Sequence, residues 1–169
     1  MAKVILIGFM GSGKSTVARR LGELLAHPVV EMDEAIVERS GLPSVAEIFA
    51  QRGEAAFRDL ESAVAESLAA ASDVIVSTGG GVVTRDRNME HLRANGGKVF
   101  LLHAPFDTVA ARNAGLETRP LFRDGSRARQ LFEARAPLYA RWADETLDSA
   151  SRSVDDLCSG ILSRLNFRP

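Results

Sequence analysis

Short, uniformly apolar runs alternate with longer segments of helical periodicity along this chain. In the longer segments the apolar residues recur every three or four positions, as on one face of a helix. Uniformly apolar strands separated by helices are typical of βαβ units, in which helices cover both faces of a parallel sheet. The pattern therefore predicts a three-layer α/β/α fold around a five-stranded parallel sheet. The predicted strands are residues 4–7, 29–30, 74–76, 99–102 and, more weakly, 146–148.

Caps and breakers divide the rest of the chain into helices and loops. Ser44 and Glu47 form a capping-box pattern that opens a short helix. Gly53 separates this helix from a longer one that runs to about residue 71. Residues 113–125 have no regular period and are rich in breakers and arginine, which predicts a loop. The other predicted helices are residues 17–25, 34–40, 86–95, 105–112, 126–143 and 154–165.

Size and charge narrow the class of protein and its partners. The chain has 169 residues, of which 46% are hydrophobic, and a formal net charge of −1. This size predicts one compact domain, residues 1–169. The small net charge supplies no overall field for nucleic acid or an acidic membrane, so any anion site must be local.

Two features bear on the compartment. Cys158 is the only cysteine, which excludes an intramolecular disulfide and fits a reducing environment. The apolar run at the N-terminus is far shorter than the ~20 residues of a membrane span and does not resemble a signal peptide. A cytoplasmic location is expected.

The most informative loops follow the carboxyl ends of predicted strands. They are residues 8–15, 31–33 and 78–81. Ligands of open parallel sheets bind outside the carboxyl ends of the strands. We therefore expect these three loops to form one site.

The first of these loops reads GFMGSGKS and matches the phosphate-loop pattern G-x-x-x-x-G-K-S/T without departure. Small residues let successive backbone N–H groups converge on phosphate oxygens, Lys14 reaches the β- and γ-phosphates, and the Ser15 hydroxyl ligates magnesium. Because the chain has no N-K-x-D guanine-reading motif, ATP with Mg²⁺ is the predicted nucleotide.

The residues that would bind the phosphate acceptor and magnesium form no equally specific motif. The third strand ends in Ser77 and Thr78, where many such proteins have a magnesium-supporting aspartate. Glu31 and Asp33 are therefore the candidates for magnesium or substrate, although Asp33 could instead cap the following helix. The three consecutive glycines at 79–81 predict either a costly loop or a second phosphate cradle.

Taken together, six motifs resemble those of the shikimate kinase family, in order and over nearly the whole chain. The triple glycine together with the two arginine motifs is the specific part of this resemblance. The motifs are the loop at 11–16, the acids on either side of Met32, Phe57-Arg58 followed by Glu61, residues 77–81, Arg119-Pro120-Leu121, and Arg135-Ala136-Pro137-Leu138-Tyr139.

The resemblance implies a P-loop kinase fold and the activity of an ATP:shikimate 3-phosphotransferase, a step of chorismate and aromatic amino-acid biosynthesis. It implies an acceptor-binding region at about residues 33–61 and a mobile lid at about residues 113–125. No partner other than the small-molecule substrate shikimate is implied, and a monomer is expected.

By the same resemblance, residues take the following roles. Catalysis is expected from Lys14, Asp33 and Arg119. The nucleotide is expected to contact Gly11, Ser12, Gly13, Lys14, Ser15, Thr16, Arg112, Arg119 and Arg152. Shikimate is expected to contact Asp33, Arg58, Gly79, Gly80, Gly81 and Arg135. Magnesium is expected at Ser15, with Glu31 and Asp33 acting through water. Glu31 departs from the family, which commonly has aspartate there, so its carboxylate is displaced by one methylene.

Two other functions compete with this one. The chain could be a P-loop kinase of another small acceptor, such as gluconate or a nucleoside monophosphate, because paired arginines would serve those anions as well. It could also be a nucleotide-binding module without turnover, although Lys14, Ser15, Asp33 and Arg119 are all present.

Overall fold

The computed structural model describes residues 3–114 and 124–165. Its strands form one five-stranded parallel sheet with the order β2-β3-β1-β4-β5. This confirms the predicted sheet. The strands are β1 (Lys3–Ile7), β2 (Val29–Glu31), β3 (Val74–Ser77), β4 (Lys98–His103) and β5 (Glu145–Asp148).

The helices also follow the sequence prediction, with ends that shift by a few residues. They are α1 (Lys14–Leu25), α2 (Met32–Ser40), α3 (Val45–Ser67), α4 (Asp86–Arg93), α5 (Phe106–Asn113), α6 (Gly125–Trp142) and α7 (Val154–Arg164). Short 3₁₀ turns at Val82–Thr84 and Ala94–Gly96 were not predicted. Most of the predicted lid, including Arg119, lies outside the described residues. Within the described parts, no helix is long and apolar enough to cross a membrane.

The central strands β1, β3 and β4 are buried on both faces apart from the ends of β4, as their apolar sequence predicts, whereas β2 is half-buried and β5 is partly exposed. Ile5 and Ile7 of β1 pack into a cluster with residues of α2 to α6, whereas Val4 and Leu6 face a second cluster. The second cluster contains residues of α1 and α7, such as Leu21. Because successive side chains of a strand point to opposite faces, this alternation produces the three-layer architecture.

Helix α3 contains a break at Gly53, where φ is 80° and ψ is 173°. The sequence predicted that Gly53 separates two helices, and the structure joins them across this one non-helical residue. Ser44 caps the first part, its hydroxyl accepting a hydrogen bond from the Glu47 N–H at 3.1 Å. The second part carries Arg58 and Glu61, so the break at Gly53 sets the direction of the segment that reaches the site.

Lys3 lies at the amino end of β1, on the edge of the sheet opposite to the predicted ligand loops. Its side chain is buried, and its ammonium group donates to Leu68 O at 2.7 Å, Ala69 O at 3.0 Å and Ala94 O at 2.9 Å. Burial lowers the pKa of Lys3 below its ordinary value. Lys3 therefore joins the first strand to the ends of α3 and α4.

Candidate active site

A cleft of about 310 Å³ lies at the carboxyl edge of the sheet, where the three loops meet as predicted. It is continuous from the phosphate loop to the glycine segment after β3. The residues lining it are Met10, Gly11, Gly13, Lys14, Ser15, Thr16, Glu31, Asp33, Ser77, Thr78, Gly79, Gly80 and Arg112.

The phosphate loop runs from the end of β1 into the start of α1. Gly11 and Gly13 have φ values of 84° and 96°, a region that glycine adopts without steric cost. The buried Lys14 ammonium donates to Gly8 O at 2.8 Å and to Phe9 O at 3.0 Å. These contacts keep the cation over the loop, beside the cleft.

Oxygen atoms from three elements meet beside the phosphate loop. The Ser15 hydroxyl donates to Glu31 Oε2 at 3.0 Å and lies 3.4 Å from the Ser77 hydroxyl. The parallel register pairs Glu31 of β2 with Ser77 of β3, which places this acid next to the position that lacks an aspartate. Glu31 Oε1 is buried and has no hydrogen-bond partner in the described chain. Hydroxyl and carboxylate oxygens are the ligands that Mg²⁺ prefers, so this donor set fits the ion.

Asp33 stands in the first turn of α2, and its alternative role as helix cap is wrong. The N-cap is Glu31, and Met32 is already the first helical residue. Asp33 lines the cleft, exposed to solvent. Its position leaves the carboxylate facing the glycine segment.

The three glycines after β3 provide space. None of the three has φ in the left-handed region. A Cβ atom at Gly79 would lie 2.8 Å from Asp33 Oδ1 and 3.3 Å from Glu61 Oε1, closer than side chains normally pack. A Cβ atom at Gly81 would overlap the Arg58 guanidinium. The glycines are therefore more than a costly loop, because Asp33, Glu61 and Arg58 come too close to this backbone for a side chain to fit.

Gly80 connects the two halves of the cleft. A Cβ atom placed there would lie 3.4 Å from Arg135 Nη1 and 3.6 Å from the backbone nitrogen of Met10 in the phosphate loop. The glycine segment therefore touches an arginine on one side and the phosphate loop on the other.

Arg58 reaches this segment from α3 and is held by two acids. Its Nη1 donates to Glu61 Oε2 at 2.9 Å, and its Nη2 lies 3.6 Å from Glu54 Oε1. The Arg58 side chain is only 12% exposed and that of Glu61 is fully buried. A guanidinium fixed in this way keeps its orientation at low entropic cost.

Glu61 completes the acidic side of the pocket. Burial raises the pKa of Glu61, and the Arg58 guanidinium opposes this effect. The nearby Asp33 carboxylate raises the pKa of Glu61 further. Glu61 Oε1 is buried without a hydrogen-bond partner in the part of the chain described here, and it faces Gly79.

Arg135 enters from α6, opposite to Arg58. It is 8% exposed, and no carboxylate of residues 3–114 or 124–165 forms an ion pair with it. Its neighbour Tyr139 donates its hydroxyl to Gly80 O at 2.6 Å. Burial raises the pKa of Tyr139 to about 12, so the hydroxyl stays protonated and remains a donor. A buried cation without an acidic partner is suited to an anionic ligand.

Comparison with known proteins agrees with this geometry. The family model described as shikimate kinase matches residues 10–166. The chain is 40% identical over 172 residues to the shikimate kinase of Pseudomonas syringae, covering 100% of this chain and 99% of that protein. It is 37% identical over 166 residues to the shikimate kinase of Persephonella marina, covering 98% and 99% of the two chains.

The same relationship appears in three dimensions. The structure superposes on shikimate kinase from Acinetobacter baumannii in complex with shikimate with a TM-score of 0.89 and 32% identity, covering 98% of this chain and 93% of that one. The chain belongs to the shikimate kinase family. As a kinase of this family it uses ATP, and the family resemblance predicted from its motifs is confirmed.

The structure brings together the residues that were predicted to bind shikimate. Asp33, Gly79 and Gly80 line one end of the cleft. Arg58 and Arg135 do not line it, but they lie against Gly81 and Gly80 respectively. Of the predicted nucleotide residues at 11–16, all but the buried Ser12 line the other end. Their individual roles stay predictions.

The remaining predicted nucleotide residues lie in different places. Arg112 donates from Nη1 to Gly11 O at 3.0 Å and from Nη2 to Ser149 O at 2.7 Å, which places it beside the phosphate loop. Arg152 is exposed between β5 and α7 and is not among the described residues lining the cleft. Arg119 falls outside the described residues.

Sequence reasoning gave no role to Glu61, Tyr139 or Ser77, although all three belong to motifs of the shikimate kinase resemblance. Their spacing carried a usable signal. Glu61 follows Arg58 by one helical turn, and Tyr139 follows Arg135 in the same way, so each must lie beside its arginine. Neither spacing could reveal that the second contact of each residue is with the glycine segment.

Proposed function

We propose that this protein transfers the γ-phosphoryl group of ATP to the 3-hydroxyl of shikimate, giving shikimate 3-phosphate and ADP. The observation that carries the proposal is the pair of mostly buried arginines, Arg58 and Arg135, on either side of the glycine segment at 79–81. This segment, which has no side chains, borders the same cleft as the phosphate loop. Shikimate is a small ring with one carboxylate and three hydroxyls, which matches such a pocket.

The arginines would bind the carboxylate of shikimate. Planar guanidinium groups match the geometry of a carboxylate through paired hydrogen bonds. Arg58 is already oriented by Glu61, whereas Arg135 Nε is buried without a partner among the described residues. A bound carboxylate would neutralise Arg135 and leave the hydroxyl side of the ring toward Asp33.

Asp33 would accept the hydrogen bond of the attacking hydroxyl. In the reaction, the 3-hydroxyl oxygen forms a bond to the γ-phosphorus as the bond between this phosphorus and the β–γ bridging oxygen breaks. ADP leaves with that electron pair, and the hydroxyl proton passes to Asp33 or to solvent. Because phosphoryl transfer depends mostly on positioning and charge stabilisation, orientation by Asp33 matters more than its basicity.

Lys14 and magnesium would neutralise the phosphates. We propose that the Lys14 ammonium exchanges its bonds to Gly8 O and Phe9 O for bonds to the β- and γ-phosphates. Ser15 and Glu31 would hold Mg²⁺, directly or through water. When bound, this ion neutralises charge on the phosphate oxygens. Arg119 is proposed to add a further positive charge to the transferring group.

Several predictions of the sequence remain proposals. They are the single domain spanning residues 1–169, the acceptor-binding region at about 33–61, the lid at about 113–125, nucleotide contacts of Arg112 and Arg152, the monomeric state and the cytoplasmic location.

An acceptor panel tests the function. The protein is incubated with ATP, Mg²⁺ and one acceptor at a time, namely shikimate, gluconate or a nucleoside monophosphate, and ADP release is measured. We expect ADP release that depends on shikimate. ADP release with gluconate or with a nucleoside monophosphate, but not with shikimate, would identify a different small-molecule kinase. ATP binding without ADP release would identify a module without turnover.

A further inference from the structure

The last residue of α5 touches the back of the phosphate loop. Asn113 is 1% exposed, and its Nδ2 donates to Met10 O at 3.2 Å and to Val109 O at 2.6 Å. Nδ2 also occupies the space that a Cβ atom at Gly11 would fill. Asn113 thus packs directly against the Met10–Gly11 peptide.

The geometry of that peptide gives this contact a consequence. In a planar trans peptide the C=O of one residue and the N–H of the next point in opposite directions. A donor that holds Met10 O on the α5 side therefore turns the Gly11 N–H away from α5. Gly11 lines the cleft, and its N–H forms no hydrogen bond within the described residues. The amide is left available to an anion in the phosphate loop.

The amide group of asparagine is suited to this position. A carboxamide nitrogen carries two hydrogens, and in Asn113 one serves Met10 O while the other serves Val109 O. Val109 lies one helical turn before Asn113, so the bond to Val109 O fixes the side chain against its own helix. A hydroxyl has a single hydrogen and an ionised carboxylate has none, so neither side chain could make both bonds.

We propose that Asn113 is a positioning residue, which orients the Met10–Gly11 peptide and thereby sets the affinity of the loop for nucleotide phosphates. The inference rests on the proposed nucleotide-binding role of the loop. It concerns a residue outside the phosphate-loop motif and gives a cause for the orientation of the Gly11 N–H, which makes no hydrogen bond within the described residues.

The first test replaces Asn113 by leucine, which has a similar shape and no donor. We expect the Kd of Mg²⁺–ADP, measured by titration calorimetry, to rise about tenfold, the effect of one lost hydrogen bond of about 1.4 kcal/mol. The Kd of shikimate is expected to stay within about twofold, since the acceptor end of the cleft is not in contact with Asn113.

Asn88→Leu is the matched control. Asn88 is also a buried asparagine, and its Nδ2 donates to a backbone carbonyl, Val82 O, at 3.1 Å, away from the phosphate loop. We expect this variant to lower Tm without changing the Kd of Mg²⁺–ADP. If both variants weaken ADP binding equally, the effect comes from general loosening of the fold and the proposal is wrong.

A second variant keeps the test decisive if leucine prevents folding. Asn113→Asp has the same shape, but its ionised form only accepts hydrogen bonds and would face Met10 O at the same position. We expect it to weaken ADP binding at least as much as leucine does. ADP affinity within twofold of the wild-type value in a folded variant would overturn the proposal, whereas wild-type protein that fails to bind ADP would overturn the nucleotide role itself.

Discussion

Gly81 and Arg58 lie so close together that no side chain fits between them. A Cβ atom at Gly81 would overlap the Arg58 guanidinium, whereas one at Gly80 would make contacts of 3.4 Å and longer. The two neighbouring glycines therefore differ in how much space they must leave. This difference allows the proposed acceptor pocket to be tested with a single added methyl group.

We predict that Gly81→Ala raises the Kd of shikimate by at least about tenfold, because Arg58 must move from its place and a charge-assisted hydrogen bond is worth about 1.5–3 kcal/mol. The Kd of Mg²⁺–ADP should stay unchanged in the same calorimetric measurement. Gly80→Ala is the matched control and should have a smaller effect on shikimate. If the two variants weaken shikimate binding equally, the contact with Arg58 is not the reason for glycine at position 81.

A second residue-scale prediction concerns Asp33. Asn has the shape of Asp but not its charge, so Asp33→Asn should lower kcat at least ~100-fold, the scale of a positioned acid–base group. The Kd of ADP should be nearly unchanged. Steady-state kinetics with shikimate and calorimetry with ADP provide the two measurements, and turnover near the wild-type rate would remove Asp33 from the reaction.

The raised pKa of Glu61 makes the stability of the folded protein depend on pH. Its pKa is raised above the ordinary value of 4.5, mainly by burial, so the folded protein holds this proton more tightly than the unfolded chain. The resulting stability is present below the ordinary pKa and is lost as pH rises through the folded pKa.

We therefore predict that the stability difference between wild type and Glu61→Gln shifts with pH. As pH rises above the ordinary pKa of glutamate, the free energy of unfolding of wild type should fall relative to that of the variant. Urea unfolding of both proteins at each pH measures this difference. A difference that does not change with pH would mean that the Glu61 carboxyl titrates alike in the folded and unfolded chains.

At the scale of elements, the break in α3 determines where Arg58 and Glu61 point. Gly53 has φ 80° and ψ 173°, a conformation that essentially only glycine adopts, and a Cβ atom there would meet nothing within 4 Å. The requirement for glycine thus comes from the backbone alone, unlike that at Gly81.

Gly53→Ala should accordingly lower the free energy of unfolding by about 1–3 kcal/mol through backbone strain. Gly125→Ala serves as control, since Gly125 also has open space around its Cα, begins α6 and has no left-handed φ. Chemical denaturation of both variants checks the prediction. If the Gly125 variant is destabilised as much as the Gly53 variant, strain at residue 53 is not the cause.

Elements were the part of the fold that the sequence predicted best. Strands such as residues 74–76 are short apolar runs, and helices such as α7 carry an apolar stripe, so local periodicity is sufficient to locate them. The 3₁₀ turn at Val82–Thr84 was missed because its residues read as a continuation of an apolar segment. Helix ends shifted because capping depends on local geometry that composition does not show.

At the scale of the whole molecule, the two edges of the sheet carry different tasks. The carboxyl edge holds the cleft, and the amino edge holds Lys3 with its three carbonyl acceptors. Stability and ligand binding should therefore be separable by mutation at the amino edge.

We predict that Lys3→Met lowers the free energy of unfolding by at least about 2 kcal/mol, because backbone carbonyls near the ends of α3 and α4 lose their donor. The Kd values of ADP and shikimate should be unchanged under conditions in which the variant is folded. Denaturation and calorimetry give the two results. Weakened binding of either ligand in the folded variant would show that the two edges are coupled.

Sequence patterns did not predict the spatial order of the strands. The order β2-β3-β1-β4-β5 places Glu31 beside Ser77, residues that are far apart in the chain. The sequence identified Glu31 and Asp33 as the candidate acids only because β3 lacked one. Likewise, the contact of Asn113 with Met10 joins the end of α5 to the phosphate loop, and no local pattern relates these two segments.

The glycine floor at 79–81 also limits how the pocket can change during evolution or engineering. Glycine is the smallest residue, so every substitution at these three positions adds atoms and can only narrow the pocket. A variant that accepts a bulkier substrate must gain its space elsewhere, from side chains on α2, α3 or α6 that form the opposite wall. Libraries aimed at larger acceptors should leave residues 79–81 fixed and vary the helices.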